Sequence, residues 1–414
     1  MYMVQDRIAS LADAWCLNFA GSSTSFRRRS FSRARSTATQ SSPRLSNQSD
    51  VDRGKRFKLD SSPDFSRSPT DVSSTTSVTV SMDKSPQKNE RGGHSDYDTA
   101  IDLLKNNPPE QRLDFHLPYS QYLKLEECWS KIRLAENISE DQKYPYLAYD
   151  SAAEIATVVT VPRALHERAA VELTPMILDS AEKYLYSHGA DASLVRNIGN
   201  GGSTTFNGIY GSYSRSKKQA DGTILYTPFG GHTTIMIAIE VGYSQDYTAL
   251  CRNKDQWIEG RHVKVCVLVC LDESPRFRNP HTLNESIGDV EAEMEKMGRS
   301  MAESVIRDHS RDYYGFIEYR DHKWVGDLTE AFIEVWRANK RQPIRYQLLQ
   351  NAWSCNRLPK TIGLKVSDFV PDEDLKAANI PDSSLSFDAI LYVDLLRRSM
   401  QTTAEERYLE FISH

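Results

Sequence analysis

SKKQADGTILYTPFGGHTTIMIAIEVGYSQDYTALCRNKDQWIEGRHVKVCVLVCLDE, residues 216–273, is the stretch whose reading decides the fold. Residues 233–241 are apolar and β-branched, short enough for a strand buried on both faces, and the run closes at Glu240 beside the turn-forming Gly242. This predicts a carboxylate at a strand end, facing an opening. From 244 to 260 the period changes. Tyr247, Leu250, Cys251, Lys254 and Ile258 recur at three- and four-residue spacing, which predicts a helix with Ser244 as N-cap and Gly260 as stop. Residues 263–271 form a second apolar run, and strand, helix, strand at this length predicts a right-handed parallel crossover.

Two further residues give this unit chemical content. Lys254 lies on the apolar stripe of its helix, where an ammonium needs a partner, although a lysine stem can also pack along such a face and carry its head to water. Asp221 precedes a short strand at 223–226, and a hairpin beside the buried strand would bring it near Glu240. The plainer reading of Asp221-Gly222 is a turn that bonds its own backbone. Glu240 is harder to explain so, because a carboxylate entering a core without a partner is costly.

The order and spacing of Asp221, Glu240 and Lys254 resemble the PD-(D/E)XK nuclease superfamily, in particular the bacterial restriction-endonuclease-like branch whose lysine has moved to the following helix, and fungal proteins of unknown function related to it. The resemblance implies an α/β fold with an αβββαβ core. Its helices would be 164–187 and 244–260, its strands 203–210, 223–226, 233–241 and 263–271. It covers roughly 110 residues, with weaker similarity in GSTTF at 202–206, FIEVWR at 332–337 and IGLKVSDF at 362–369. Two positions depart from the motif: Ala220 stands where it has proline, and Gly242 where it has lysine, so that Lys254 takes the lysine's part. The resemblance also implies metal-dependent cleavage of nucleic-acid phosphodiesters. Magnesium or manganese would be held by Asp221 and Glu240, because two acids suffice for an ion that keeps its waters and meets a substrate phosphate. Lys254 would assist as a point donor. Candidates for holding the nucleic acid are Ser203, Lys217, Lys218, Ser244, Gln245 and Arg252. The alternative from another class is an inactive module of the same fold that binds nucleic acid or a protein partner.

Around this centre the chain is uneven. Residues 1–95 carry 15 Lys+Arg against 9 Asp+Glu and few large apolar residues, while the remainder carries 36 against 47. The first part reads as a disordered basic Ser/Thr/Pro-rich arm, unable to offset its ordering entropy. Arg27, Arg28 and Arg29, and the cluster from Arg53 to Lys58, suit nucleic-acid contact or a nuclear import address, and the plain alternative is a solvated arm. Ser42, Ser62, Ser68 and Ser85 each precede proline and read as sites of proline-directed phosphorylation. The acidic remainder argues against a general grip on duplexes, although Arg215, Lys217, Lys218, Arg252, Arg261, His262 and Lys264 offer a local basic rim.

Six cysteines occur without a CxxC pair or zinc-type spacing, and no apolar run reaches membrane-spanning length. The expectation is a soluble intracellular protein, nuclear or cytoplasmic. Residues 96–160 read as a helical lead-in packing on the core. After the core, 282–309 has apolar positions, Met294 among them, at helical spacing, which predicts an amphipathic helix that packs on the core or dimerises. Residues 313–324, 331–336 and 343–349 read as strands extending the sheet and 384–398 as a closing helix. The aromatics and arginines among those strands, Trp336, Arg337, Arg345 and Tyr346 included, suit either base stacking or strand packing.

Overall fold

In the computed structural model the described residues are 95–108, 112–138, 144–160, 162–280, 315–319, 322–349 and 358–413. The basic arm with its phosphorylation sites, and the amphipathic segment around Met294, lie outside them. The chain is a mixed α/β protein whose central sheet is built on three strands: β7 (Gly222–Tyr226), β8 (Thr234–Tyr243) and β9 (Val265–Ser274). β8 and β9 run parallel, with Glu240 opposite Leu268, and β7 is antiparallel to β8. The helix α5 (Tyr247–Arg261) makes the crossover between the parallel pair.

Period-two alternation sorts these strands into two apolar faces. Ile237, Ile239 and Val241 of β8, with Val265, Val267, Val269 and Leu271 of β9, join the larger core. There they meet α3 (Ala164–Ser187), whose Leu165, Ala169, Leu173, Ile177, Ala181 and Leu185 recur every four residues and are all buried. Each large aliphatic side chain so buried contributes about 1.5–3 kcal/mol. Ala238 and Cys266, Leu268 and Cys270 face the other way, against Leu250 and Trp257 of α5. Glu240 belongs to this second face.

The sheet extends outward as β13 (Ile344–Gln347), β12 (Asp327–Arg337), β9, β8, β7 and β4 (Ile198–Asn200). The last helix, α7 (Ala389–Ser413), starts later and runs further than its expected 384–398, because the Asp388 carboxylate caps Leu391 N–H at 3.0 Å. It packs on α3, where Tyr392 donates to the carbonyl of Ala169 at 2.9 Å.

A second sheet, in the order β1 (Arg112–His116), β3 (Ile155–Val159), β2 (Tyr146–Asp150), β6 (Lys217–Gln219), β5 (Thr205–Asn207), has its own apolar cluster with α1 (Asp96–Asn106) and α2 (Tyr119–Ala135). The expected helical lead-in therefore also supplies three strands. β6 ties this sheet to the central one, because the chain passes from β6 through Ala220 and Asp221 directly into β7.

Several boundaries differ from those read in the sequence. Of 203–210 only Thr205–Asn207 is a strand, and it pairs with β6 in the second sheet, leaving β4 as the first strand of the central one. Ser244 does not cap α5: its φ is 50°, and the helix begins after Asp246. Gly260 does not stop it either. A Cβ there would lie 2.6 Å from the Tyr213 side chain, so the glycine serves close approach, and the helix ends at His262 in the left-handed conformation. β10 (Ile317–Tyr319) and β11 (His322–Val325) form a separate two-stranded sheet instead of extending the central one. Cys266 and Cys270 are buried and free, Cys128 and Cys251 half-buried and free. Among the described residues no helix is long and apolar enough to cross a membrane.

Candidate active site

β8 continues past Glu240 to Tyr243, so this carboxylate sits in mid-strand, not at a strand end, and only 1% of the residue is exposed. Its burial is compensated from two sides. Lys218 brings its ammonium to 2.8 Å from Oε2, and Trp257 of α5 donates its indole N–H to Oε1 at 2.7 Å. Burial pushes the Glu240 carboxyl above its usual range, the neighbouring Asp221 adds to that push, and Lys218 opposes it.

Asp221 is bonded to the backbone of β8. Its N–H donates to the carbonyl of Ile239 at 3.1 Å, and its Oδ2 accepts from the N–H of Val241 at 2.8 Å. His166 of α3 donates from Nε2 to the carbonyl of Val241 at 3.1 Å and lies 3.8 Å from Asp221 Oδ2. The residues on either side of Glu240 thus clamp Asp221, and the Asp221 side chain keeps 18% of its surface exposed. Around the pair, burial raises the hydroxyls of Tyr144 and Tyr146, and the negative charge of Asp221 adds to both shifts. The thiol of Cys266, on the strand beside Glu240, is raised by burial and then by that carboxylate.

The two acids and one ammonium expected at the site are therefore together, but the ammonium is that of Lys218. Lys254 instead pairs with the Asp255 carboxylate and lies 4.3 Å from the centroid of the Trp336 ring, an arrangement that satisfies it by cation–π attraction at the β12 edge. The lysine position of the motif is closed: a Cβ on Gly242 would stand 2.9 Å from a methyl of Leu250.

The nucleic-acid candidates divide. Lys217 alternates to the opposite side of β6 and binds Glu126 at 2.6 Å, Arg252 binds Asp114 at 2.6 Å, and the carbonyl of Ser203 accepts from Gln219 at 2.6 Å. Lys218 is the Glu240 partner. Ser244 and Gln245 open onto a cleft of about 830 Å³ beyond the ends of β8 and β9, which His166 also lines. The expected basic rim is dispersed: Arg215 lies over Tyr119, His262 stacks on Tyr210, and Lys264 binds Asp372. Trp336 and Arg345 are committed to the buried Glu334, and Arg337 to Asp368, so these side chains serve strand packing.

For a divalent cation the available donors are the carboxylates of Asp221 and Glu240. Hard oxygen ligands of this type and number suit magnesium, which takes one or two carboxylates and completes its shell with water and substrate phosphate. Among the described residues no group of three or more His, Cys, Asp and Glu forms a cage that would hold an ion unaided.

Comparison of the chain with protein-family profiles, curated proteins and solved structures finds no match.

Proposed function

We propose that the chain is a metal-dependent phosphodiesterase acting on nucleic acid, of restriction-endonuclease-like type, in which Asp221 and Glu240 are the metal ligands and Lys218 is the basic residue. The observation that carries this reading is the Lys218 ammonium 2.8 Å from a buried carboxylate whose neighbour is a second, partly exposed one. A core in need of stability would not set two acids together in mid-sheet, since replacing a buried ion pair by apolar side chains is often neutral or stabilising.

Magnesium or manganese held by Asp221 and Glu240 would supply Lewis acidity at the phosphate and a water of lowered pKa. Lys218 neutralises Glu240 while the site waits for substrate, and its three rotatable donors allow one to turn to a phosphate oxygen as charge develops there. Trp257 fixes the carboxylate plane of Glu240, and His166 and Val241 hold Asp221, so neither acid needs to be reoriented when the substrate arrives.

A second reading is favoured by one observation: both oxygens of Glu240 already have protein donors. On that reading the ion pair is structural and the chain is an inactive module of the same fold. Cleavage assays with magnesium and manganese on single- and double-stranded DNA and RNA separate the two. Asp221→Asn and Glu240→Gln are expected each to lower the rate by about 10²-fold or more while the protein stays folded. No cleavage by the unaltered chain, or equal cleavage by the variants, would leave the module.

A further inference from the structure

The cleft beyond β8 and β9 lies outside the carboxyl ends of a parallel strand pair, where open α/β sheets take their ligands. Its wall carries Arg112, Arg163, Arg276 and Arg407 together with the carboxylates of Asp114, Asp246, Glu273 and Glu410, of which Asp114 is bound to Arg252. Two of these guanidinium groups are already engaged: Arg163 pairs with Glu410, and Arg407 with Glu273. The other two are not matched by a carboxylate. Arg112 holds only the amide oxygen of Asn253, at 3.4 Å, and Arg276 is exposed with no hydrogen bond or ion pair among the described residues.

The floor adds donors that the protein itself does not use. The hydroxyl of Ser244 and the amide nitrogen of Gln245 are buried without a hydrogen-bond partner, and outside the lining Asn253, itself 4% exposed, has an unpartnered amide nitrogen where it meets Arg112. Buried donors of this kind destabilise the fold when left unmatched. Ser244 also holds a backbone conformation unusual for a residue with a side chain, φ 50°, of the sort that persists at ligand sites. Among the described residues two guanidinium groups, Arg112 and Arg276, stand against one unpaired carboxylate, Asp246, so the concavity keeps a net positive charge, and with its unmatched donors it calls for an anionic ligand rich in acceptors.

The shape restricts that ligand further. Proteins read a duplex with elements that project into its grooves, whereas these donors are recessed in a cleft of about 830 Å³, the size of a small-ligand pocket. The backbone of an intact duplex is too wide to enter such a recess, whereas the phosphates of a single strand can track along it. The net acidic composition of residues 96–414 also removes the broad basic face that a duplex requires.

We propose that this cleft is a subsite for single-stranded nucleic acid, with Arg112 and Arg276 neutralising backbone phosphates and Ser244 and Gln245 donating to acceptors at its floor. The proposal deepens the phosphodiesterase reading by giving it a substrate class, and it rests on that reading for the chemistry alone.

The test is fluorescence polarisation of the full chain, in calcium and in EDTA, with labelled 12-nucleotide single strands of DNA and of RNA and with the matching duplexes. Single strands are expected to bind at least about 10-fold tighter than duplex, and the DNA and RNA arms identify the sugar preferred. Arg276→Gln, an exposed change that spares the fold, is expected to weaken single-strand binding and reduce the slope of log affinity against log salt by about one. Duplex binding as tight as single-strand binding, or unchanged affinity in both Arg276→Gln and Arg112→Gln, would overturn the proposal. Parallel cleavage assays keep the two conclusions apart. Single-strand binding that depends on Arg276 but is never followed by metal-dependent cleavage sinks the phosphodiesterase reading and leaves the subsite. Metal-dependent duplex cleavage that Arg276→Gln does not slow does the reverse.

Discussion

Glu240 on β8 and Glu273 on β9 are both buried, and both meet a cation, yet their surroundings differ. Glu273 is saturated: Oε1 accepts from the N–H of Gly326 at 2.7 Å and from Arg407 at 2.8 Å, while Oε2 accepts from Arg407 at 3.1 Å and from the hydroxyl of Tyr243. The forked guanidinium fits the carboxylate on two edges and also ties α7 to β11 through the carbonyl of Trp324. Glu240 has two donors, one of them a flexible ammonium, and a second carboxylate nearby that works against its charge. On the proposed function, the charge enclosed by fixed donors serves the fold, and the one held by a partner able to move is kept for use.

This contrast can be broken or sharpened by substitution. The largest effect is expected from Arg407→Met, which strands Glu273 and unlocks α7, at about 5 kcal/mol in denaturant titrations. A smaller cost, about 3 kcal/mol, is expected from Lys218→Met, with most of it restored in the double variant Lys218→Met/Glu240→Leu. If that double variant were no better than the single one, the pair would be as interwoven with the fold as Glu273, and the contrast would vanish.

The pH dependence follows from the raised carboxyl of Glu240. With its folded pKa above the unfolded value near 4.5, the folded protein binds the proton more tightly, and stability falls as pH rises through that window. Removing Lys218 takes away the influence that opposes this shift. Lys218→Met is therefore expected to lose stability more steeply than the unaltered chain from about pH 4.5 upward, and Lys218→Met/Glu240→Gln to lose that slope, as thermal melts across pH would show. The smallest effect belongs to Lys254→Met, with a stability cost within about 1 kcal/mol and cleavage unaffected. Cleavage lost in Lys254→Met and kept in Lys218→Met would return the basic role to the helix.

How far the sequence foretold these two sites follows from the patterns available. The resemblance implies a helix at 164–187, the ends α3 has in the structure, and the apolar runs of β8 and β9 are read correctly in kind. Their ends are not, because Tyr243, Asp272 and Glu273 look like loop residues until Arg407 arrives from over a hundred positions away. The two acids were legible as a pair from their strand context. Lys254 does not meet the acids as expected: helical periodicity places it on an apolar stripe, and its partners are Asp255 and Trp336 on a distant strand. Lys218 reads in the sequence as a nucleic-acid contact on a local basic rim. A signal was present even so: in an extended segment Lys218 shares a face with Ala220, which is fully buried, while Lys217 turns outward to Glu126. The cleft had no local signature, since its arginines come from four separate parts of the chain.

Gly242 sets how closely the crossover helix approaches its strand. A Cβ at that position would stand 2.9 Å from a methyl of Leu250, the residue that seats α5 on the sheet. A larger side chain at 242 therefore has to displace that methyl, and shrinking Leu250 to make room would open a void beneath the helix. The two positions form a matched pair, so the cost of changing one depends on what occupies the other.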